Sequence, residues 1–181
     1  KWLLDKAGRE TERAVVIDTA TGKELSRVIS KERDIIPLPN EISDLLDDRQ
    51  SSLSLLHSHP DSLSLSPQDL SLLARPGAAK IVAYGYDKSW FAAEKGANMA
   101  KLMKVMEAAV EESDHQLDIL NRRGLHIYDM EAHLFNLALD RAGIVRYKYA
   151  LDSRRGRLYT QENKVLDDAV AAIAWAMERA R

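Results

Sequence analysis

The first half of the chain carries short apolar runs that are separated by turn residues. Runs of this kind, rich in Val, Ile and Leu and bounded by Gly, Pro, Asp or Ser, are typical of β-strands. They predict strands at Arg13–Asp18, Lys23–Ile29, Leu53–His59, Lys80–Gly85 and Trp90–Glu94. The first two and the last two are each separated by four turn-forming residues, which predicts two β-hairpins. Short helices are predicted between them, at Glu41–Asp48 and Pro67–Ala74.

Beyond Gly96 the spacing of apolar residues changes from two to about 3.6, which predicts helices. A long helix begins near Met99 and ends at Gly124, and a second helix covers Asp129–Ala142. The remaining predicted elements are a strand at Ile144–Leu151 and an amphipathic helix at Gln161–Arg181.

These elements together predict an α/β protein with a mixed β-sheet flanked by helices and a C-terminal helical extension. The change of spacing divides the chain into a core, residues 1–95, and an extension, residues 96–181, packed on or beside that core. The chain begins at Lys1, which fits a domain of a larger polypeptide.

Composition narrows the classes of function that are open to the chain. The 181 residues include 26 Lys and Arg against 28 Asp and Glu, for a net charge of −2, so we expect neither nucleic acid nor an anionic membrane as a partner. No apolar run approaches the roughly 20 residues of a membrane span, and no signal peptide opens the chain. The absence of cysteine fits a cytoplasmic protein and means that any metal must be held by His and carboxylate side chains.

The most informative segment runs from the third predicted strand into the helix after it. On a strand, side chains alternate between faces, so His57 and His59 point the same way, with Cα atoms about 6.5–7 Å apart. Asp69 lies on the first turn of the following helix, which a loop beginning at Pro60 folds back toward the strand end. Two imidazoles, one carboxylate and an open fourth position are the layout of a catalytic zinc site.

Each half of this pattern also has a purely structural interpretation. Two histidines separated by one residue on a strand are often incidental. Ser66, Pro67 and Asp69 form a favourable helix start, with Ser at the N-cap, Pro at N1 and an acid at N3. It is the combination of the two halves, in a chain without cysteine, that favours a metal site.

The segments His57–Pro60 (HSHP) and Ser66–Asp69 (SPQD) resemble the signature of the JAMM metalloproteases, also called MPN+ or JAB proteins, and most closely their bacterial and phage-type members. The resemblance covers about residues 8–95. It implies an MPN-like fold and zinc-dependent hydrolysis of a peptide or isopeptide bond through a metal-bound water. The loop of five residues between Pro60 and Ser66 is one residue shorter than the commoner family spacing.

The resemblance also assigns roles to individual residues. It implies that His57, His59 and Asp69 bind Zn²⁺ and that Ser66 stabilises the oxyanion of the tetrahedral intermediate. The substrate would be a protein or peptide, with ubiquitin-like proteins among the candidates.

In the family, an upstream Glu on an early strand is the general base. Glu12, which borders the strand Arg13–Asp18, is the preferred candidate here. Glu10 is the alternative, and Glu24 on the return strand is a third carboxylate in the region. A carboxylate suits the role because it can accept a proton from a polarised water and return it to the leaving amine.

The sequence is also compatible with other functions, and the residues outside the predicted site are expected to have structural or surface roles. One alternative is a non-catalytic MPN-like module that binds proteins, and another is a toxin- or phage-associated JAB domain, secreted in the case of a toxin. Trp90 and Phe91 are expected to fill the core, and Arg154–Arg157 is expected to form a solvated basic turn. The remaining histidines are too scattered for a second metal site and are expected to lie at the surface: His115, His126 and His133.

Overall fold

A computed structural model describes residues 2–4, 11–30 and 36–180. Its six β-strands are β1 (Arg13–Asp18), β2 (Glu24–Ile29), β3 (Leu53–His59), β4 (Ala78–Gly85), β5 (Trp90–Lys95) and β6 (Val145–Ala150). Its six α-helices are α1 (Asn40–Asp47), α2 (Pro67–Ala74), α3 (Leu102–Arg122), α4 (Glu131–Arg141), α5 (Ser153–Gln161) and α6 (Asn163–Arg179).

The strands form one mixed sheet in the order β2-β1-β3-β4-β5-β6. Strand β1 is antiparallel to β2 and to β3, β3 is parallel to β4, and β4 is antiparallel to β5. Because β3 and β4 are parallel, the chain must cross over between them, and α2 lies in that crossover. The crossover brings the start of α2 back toward the C-terminal end of β3.

Strand β3 is buried along nearly its whole length, as expected for a strand with neighbours on both sides and apolar residues facing both layers. Its register places His57 opposite Ala14 of β1 on one side and opposite Ala83 of β4 on the other. Small neighbouring side chains therefore flank the strand where the imidazole of His57 lies.

The described residues fall into two compact units. The first extends to Glu94 and includes Lys148–Ala150, and the second comprises Lys95–Tyr147 and the residues from Leu151 onward. The core of the first unit includes Val16, Leu55, Leu65, Leu70, Ile81 and Phe91. In the second unit, α6 packs against α3 and α4. The core there includes Leu102, Val105, Leu120, Leu134, Leu166 and Ile173.

The α/β class, with a mixed sheet flanked by helices and a helix at the C-terminus, is confirmed. The strand predicted at Leu53–His59 and the helix predicted at Pro67–Ala74 have the predicted bounds. Both predicted hairpins form as antiparallel pairs, β1 with β2 and β4 with β5.

The prediction of a solvated turn at Arg154–Arg157 is wrong, because these residues lie in α5. Asp152 caps this helix by accepting hydrogen bonds from the backbone N–H groups of Arg154 (2.8 Å) and Arg155 (3.3 Å). The side chain of Arg155 is buried and pairs with the Asp152 carboxylate. An ion pair thus accounts for the buried guanidinium of Arg155, whereas Arg154 and Arg157 are exposed on the same helix.

Two further expectations about burial are wrong. His133 is 1% exposed rather than at the surface, because it lies on the buried side of α4, where its Nδ1 is 2.9 Å from the Tyr147 hydroxyl. Trp90 is 36% exposed at the start of β5, whereas its neighbour Phe91 fills the core as expected. No helix among the described residues is long and apolar enough to cross a membrane.

Candidate metal centre

Two imidazoles meet at the C-terminal end of β3. His57 and His59 lie on the same face of the strand, as alternation requires, and both are buried. Their Nε2 atoms are 2.7 Å apart. At this distance at most one of the two nitrogens carries a hydrogen between them, so at least one lone pair points into the space that they share.

Asp69 completes a group of three. It is the third residue of α2, and its Oδ1 lies 3.1 Å from His57 Nε2 while its Oδ2 lies 3.4 Å from His59 Nε2. Ser66 caps the helix and Pro67 opens it, which fixes the direction in which the first turn points. The sequence thus brings a carboxylate and two imidazoles together at one buried point, and the group could hold a metal ion.

The distances among the two imidazole nitrogens and the two Asp69 carboxylate oxygens suit a first-row divalent metal ion. With Zn–N and Zn–O bonds of about 2.0–2.1 Å, two tetrahedral ligand atoms are separated by about 3.3 Å. The observed separations are 2.7 Å between the two Nε2 atoms, 3.1 Å from His57 Nε2 to Asp69 Oδ1 and 3.4 Å from His59 Nε2 to Asp69 Oδ2, and they bracket that value. Two nitrogens and one oxygen form a donor set that zinc accepts.

The two histidines differ in what holds their outer nitrogens. His59 Nδ1 lies 2.9 Å from the backbone carbonyl oxygen of Leu63, which can only accept a hydrogen bond, so Nδ1 carries the proton and Nε2 presents its lone pair when the ring is neutral. This is the arrangement that commonly orients a metal-binding imidazole. His57 Nδ1 is buried and has no hydrogen-bond partner among the described residues.

Electrostatic coupling within the group shifts two pKa values. Burial alone would raise the pKa of Asp69, but the charges of His57 and His59 and their hydrogen bonds hold it well below its usual range. Burial alone would lower the pKa of His59, but the hydrogen bond and charge of Asp69, with the charge of Glu12, raise it instead. The carboxylate is therefore ionised near neutral pH, as a metal ligand must be.

Glu12, the preferred candidate for the general base, lies beside the group. It immediately precedes β1, is 8% exposed, and its Oε1 is 3.9 Å from His59 Nε2. The antiparallel register explains the position. Ala14 of β1 is opposite His57 of β3, so the residue two positions before Ala14, Glu12, comes opposite the residue two positions after His57, His59. Its backbone carbonyl accepts a hydrogen bond from the N–H of Ser30 (2.9 Å), which ties this end of β1 to the end of β2.

The structure describes only one of the other two carboxylates considered for this role. Glu24 is exposed on β2 and forms an ion pair with Arg27, with 2.7 Å between Oε1 and Nε. Glu10 lies outside the described residues.

Ser66, the predicted oxyanion helper, is engaged with Asp69. Its hydroxyl lies 2.9 Å from Asp69 Oδ2 and its backbone N–H donates to the same oxygen (2.8 Å), while Asp69 N–H donates back to Ser66 Oγ (3.2 Å). This is a complete capping box. The hydroxyl therefore orients the carboxylate, and it would have to turn away from Asp69 to donate to a substrate oxygen.

A cleft of about 430 Å³ opens beside the group. The cleft is lined by eight residues: Glu12, Ile36, Ser66, Gln68, Asp69, Ser71, Leu72 and Arg75. The cleft offers space for part of a ligand next to the three candidate metal ligands. Its lining could not be assigned from the sequence, because Ile36 belongs to a proline-rich connector without periodic structure.

A turn at Ser62, which the sequence did not predict, holds the loop between β3 and α2. Ser62 has a positive φ of 58° and its hydroxyl accepts a hydrogen bond from the N–H of Asp87 (3.3 Å). A Cβ at Gly85 would come within 2.7 Å of the Ser62 Cβ and 2.3 Å of Ser89 Oγ. The glycine therefore permits the turn to pack against the loop that carries the Leu63 carbonyl.

Comparisons of the chain with protein-family models, with curated proteins and with solved structures find no match.

Proposed function

We propose that the chain is a zinc-dependent metallopeptidase of the JAMM type, with an MPN-like core, that hydrolyses a peptide or isopeptide bond. The observation that carries the proposal is the convergence of His57, His59 and Asp69 on one buried point with a second carboxylate, Glu12, beside it. A structural site would enclose the metal with four protein ligands, whereas three ligands next to an open cleft suit catalysis.

His57 Nε2, His59 Nε2 and one oxygen of Asp69 would hold the ion. A bound Zn²⁺ supplies Lewis-acid polarisation of the scissile carbonyl and lowers the pKa of water to about 7. The Leu63 carbonyl keeps His59 in the tautomer that presents Nε2, and Ser66 keeps the Asp69 carboxylate oriented toward the histidines.

Glu12 would move the proton in this reaction. Its carboxylate lies at the edge of the group and lines the cleft, so it can accept a proton from the attacking water and pass it to the leaving amine. Ser66 also lines the cleft, and a rotation of its hydroxyl away from Asp69 would let it donate to the developing oxyanion.

The proposed substrate is a protein or peptide, and ubiquitin-like proteins are among the candidates. The test is hydrolysis of a peptide library and of ubiquitin-like fusions by the full chain loaded with one equivalent of zinc. We expect cleavage that a chelator abolishes, that added zinc restores, and that His57→Ala lacks. Cleavage that survives both the chelator and His57→Ala would exclude the metallopeptidase reaction.

A further inference from the structure

The cleft beside the candidate metal centre follows one face of α2. Asp69 is at the start of this helix, Leu72 is one turn later and Arg75 follows the last helical residue. At about 1.5 Å of rise per residue, Leu72 is about 4.5 Å and Arg75 about 9 Å along the helix from Asp69. An extended peptide advances about 3.3 Å per residue, so the cleft has the length of about three residues.

The cleft is lined by both aliphatic and polar side chains, with Gln68 and Ser71 among the polar ones, and its arginine is already paired. Leu72 and Ile36 are half-buried and supply aliphatic surface to its wall. The Arg75 guanidinium forms a bidentate ion pair with Asp47, with Nε 2.9 Å from Oδ1 and Nη2 2.7 Å from Oδ2. Since Asp47 already neutralises Arg75, the guanidinium does not require an acidic group from a ligand.

The near part of the cleft disfavours an acidic side chain. Glu12 and Asp69 are both buried carboxylates whose two negative charges would balance a bound Zn²⁺, so a third carboxylate between them would be an uncompensated charge in a poorly solvated site. A volume of about 430 Å³ is at the lower end of the range of roughly 300–1,000 Å³ for small-molecule sites, which suits one large side chain with the adjoining backbone.

We infer that Leu72 and Ile36 form a specificity pocket for a large aliphatic or aromatic side chain of a peptide residue that adjoins the scissile bond. The inference rests on the proposed function for the position of that bond, since Asp69 and Glu12 mark the reacting end of the cleft. It predicts a bulky apolar residue, and not glycine, next to the scissile bond.

The first arm of the test measures cleavage of a peptide library by the zinc-loaded full chain. Leu, Phe, Gly, Asp and Lys are varied on each side of the bond. We expect kcat/KM for Leu or Phe to exceed that for Gly by about 10²-fold, as the contacts of a few methylenes provide. Leu72→Trp, which fills the cleft, should bring this ratio within about tenfold while the Gly peptide is still cleaved. A preference for Gly, Asp or Lys in the wild-type protein would overturn the inference.

Two further variants accompany this measurement, one as a control outside the cleft and one as a substitute for Leu72→Trp. Ile17→Ala removes a half-buried aliphatic side chain of β1 outside the cleft, and it should leave the Leu-to-Gly ratio unchanged. Ile36→Trp fills the cleft from the connector that precedes α1 and replaces Leu72→Trp if that variant does not fold. Wild-type selectivity in a folded, zinc-loaded Ile36→Trp variant that still cleaves peptide would also overturn the inference.

The second arm does not depend on catalysis. The ¹⁵N-labelled, zinc-loaded Glu12→Gln protein is titrated with N-acetyl-leucinamide or with N-acetyl-aspartamide. The leucine compound should shift the amide resonances of Leu72 and Ile36, and the aspartate compound should not. If no peptide is cleaved at all, the proposed function fails, and this arm still decides the pocket: equal shifts with both compounds, or none with leucine, would reject it.

Discussion

Ser66 and Asp69 hold each other through three hydrogen bonds at the start of α2. Asp69 Oδ2 accepts from the Ser66 backbone N–H (2.8 Å) and hydroxyl (2.9 Å), and the Asp69 N–H donates back to Ser66 Oγ (3.2 Å). The same carboxylate faces His57 and His59. One hydrogen-bonded pair thus both begins the helix and orients a candidate metal ligand, so the structural and the functional interpretations of SPQD are compatible.

This pairing predicts that Ser66→Ala weakens both stability and metal binding. Loss of the cap should lower the free energy of unfolding by about 0.5–2 kcal/mol. Loss of the hydroxyl that orients Asp69 should reduce zinc affinity by about 10- to 100-fold, as is typical when a partner of a ligand is removed. Chemical denaturation and competition with a chromogenic chelator measure the two effects.

Ser66→Thr is the matched control for that variant, because it retains a hydroxyl that can cap the helix and donate to Asp69. It should remain close to the wild-type protein in both measurements. If Ser66→Ala lost stability but kept full zinc affinity, the hydroxyl would serve the helix alone.

The group of three ligands predicts about one equivalent of zinc per chain. His57→Ala should lose most of the metal, because it removes one of three ligands and leaves a buried gap beside His59. His115→Ala changes an exposed histidine of α3 and should keep the full equivalent. Elemental analysis after reconstitution and gel filtration measures the stoichiometry, and an equal loss in both variants would contradict the assignment.

Removal of zinc should lower the melting temperature without unfolding the protein. An ion that binds only the folded state stabilises it by RT ln(1 + [L]/Kd), which is about 4 kcal/mol when the free metal is at 1,000 times Kd. The core of the first unit is built from apolar side chains, including Val16, Leu55, Leu70 and Ile81, so the metal-free chain should stay folded. Calorimetry with and without chelator tests this, and complete unfolding of the metal-free protein would indicate a structural site.

The sequence predicted those features of the site that depend on residues close together in the chain, but not those that depend on the pairing of distant segments. The same-face arrangement of His57 and His59 follows from strand alternation, and the position of Asp69 follows from helix-start chemistry. The position of Glu12 depends on the register between β1 and β3, which the sequence does not show. The carbonyl oxygen that contacts His59 belongs to the backbone of Leu63. Every residue type has such a carbonyl, so the sequence does not indicate this contact.

The second unit shows why other features were mispredicted. Helix α5 has few apolar residues and includes Gly156 within a basic cluster, so apolar spacing did not reveal it. Its burial of Arg155 depends on the ion pair with Asp152. His133 is one of several buried residues of α4, and its burial depends on packing between elements that are distant in sequence.

The burial of His133 predicts a pH-dependent stability. Burial first, and then the positive charge of Arg155, lower its pKa from 6.5 to about 3. The unfolded chain therefore binds a proton that the folded chain does not, and the stability due to the neutral imidazole is fully present above pH 6.5 and is lost as the pH falls toward 3. Between pH 6 and pH 5 the loss should be about 1 kcal/mol.

Denaturant unfolding of the wild-type protein and of His133→Gln at both pH values isolates this contribution. Glutamine can still hydrogen-bond to the Tyr147 hydroxyl but does not titrate, so the variant should lose about 1 kcal/mol less over the interval. Identical pH dependence in the two proteins would show that His133 becomes protonated in the folded state.

The mechanism depends most on Glu12, whose carboxylate reaches the group because β1 runs antiparallel to β3. Glu12→Gln preserves the size of the side chain and its ability to hydrogen-bond, but an amide cannot accept the proton of the attacking water. The variant should lower turnover by about 10²- to 10⁴-fold while zinc content and melting temperature change little. Glu24→Gln is the control, because this exposed residue pairs with Arg27 and its substitution should leave turnover unchanged.

Full activity in Glu12→Gln together with an inactive Glu10→Gln would transfer the role of general base to Glu10, two residues earlier in the chain. Full activity in all three variants would exclude a glutamate base in this region, and with it the JAMM-type mechanism.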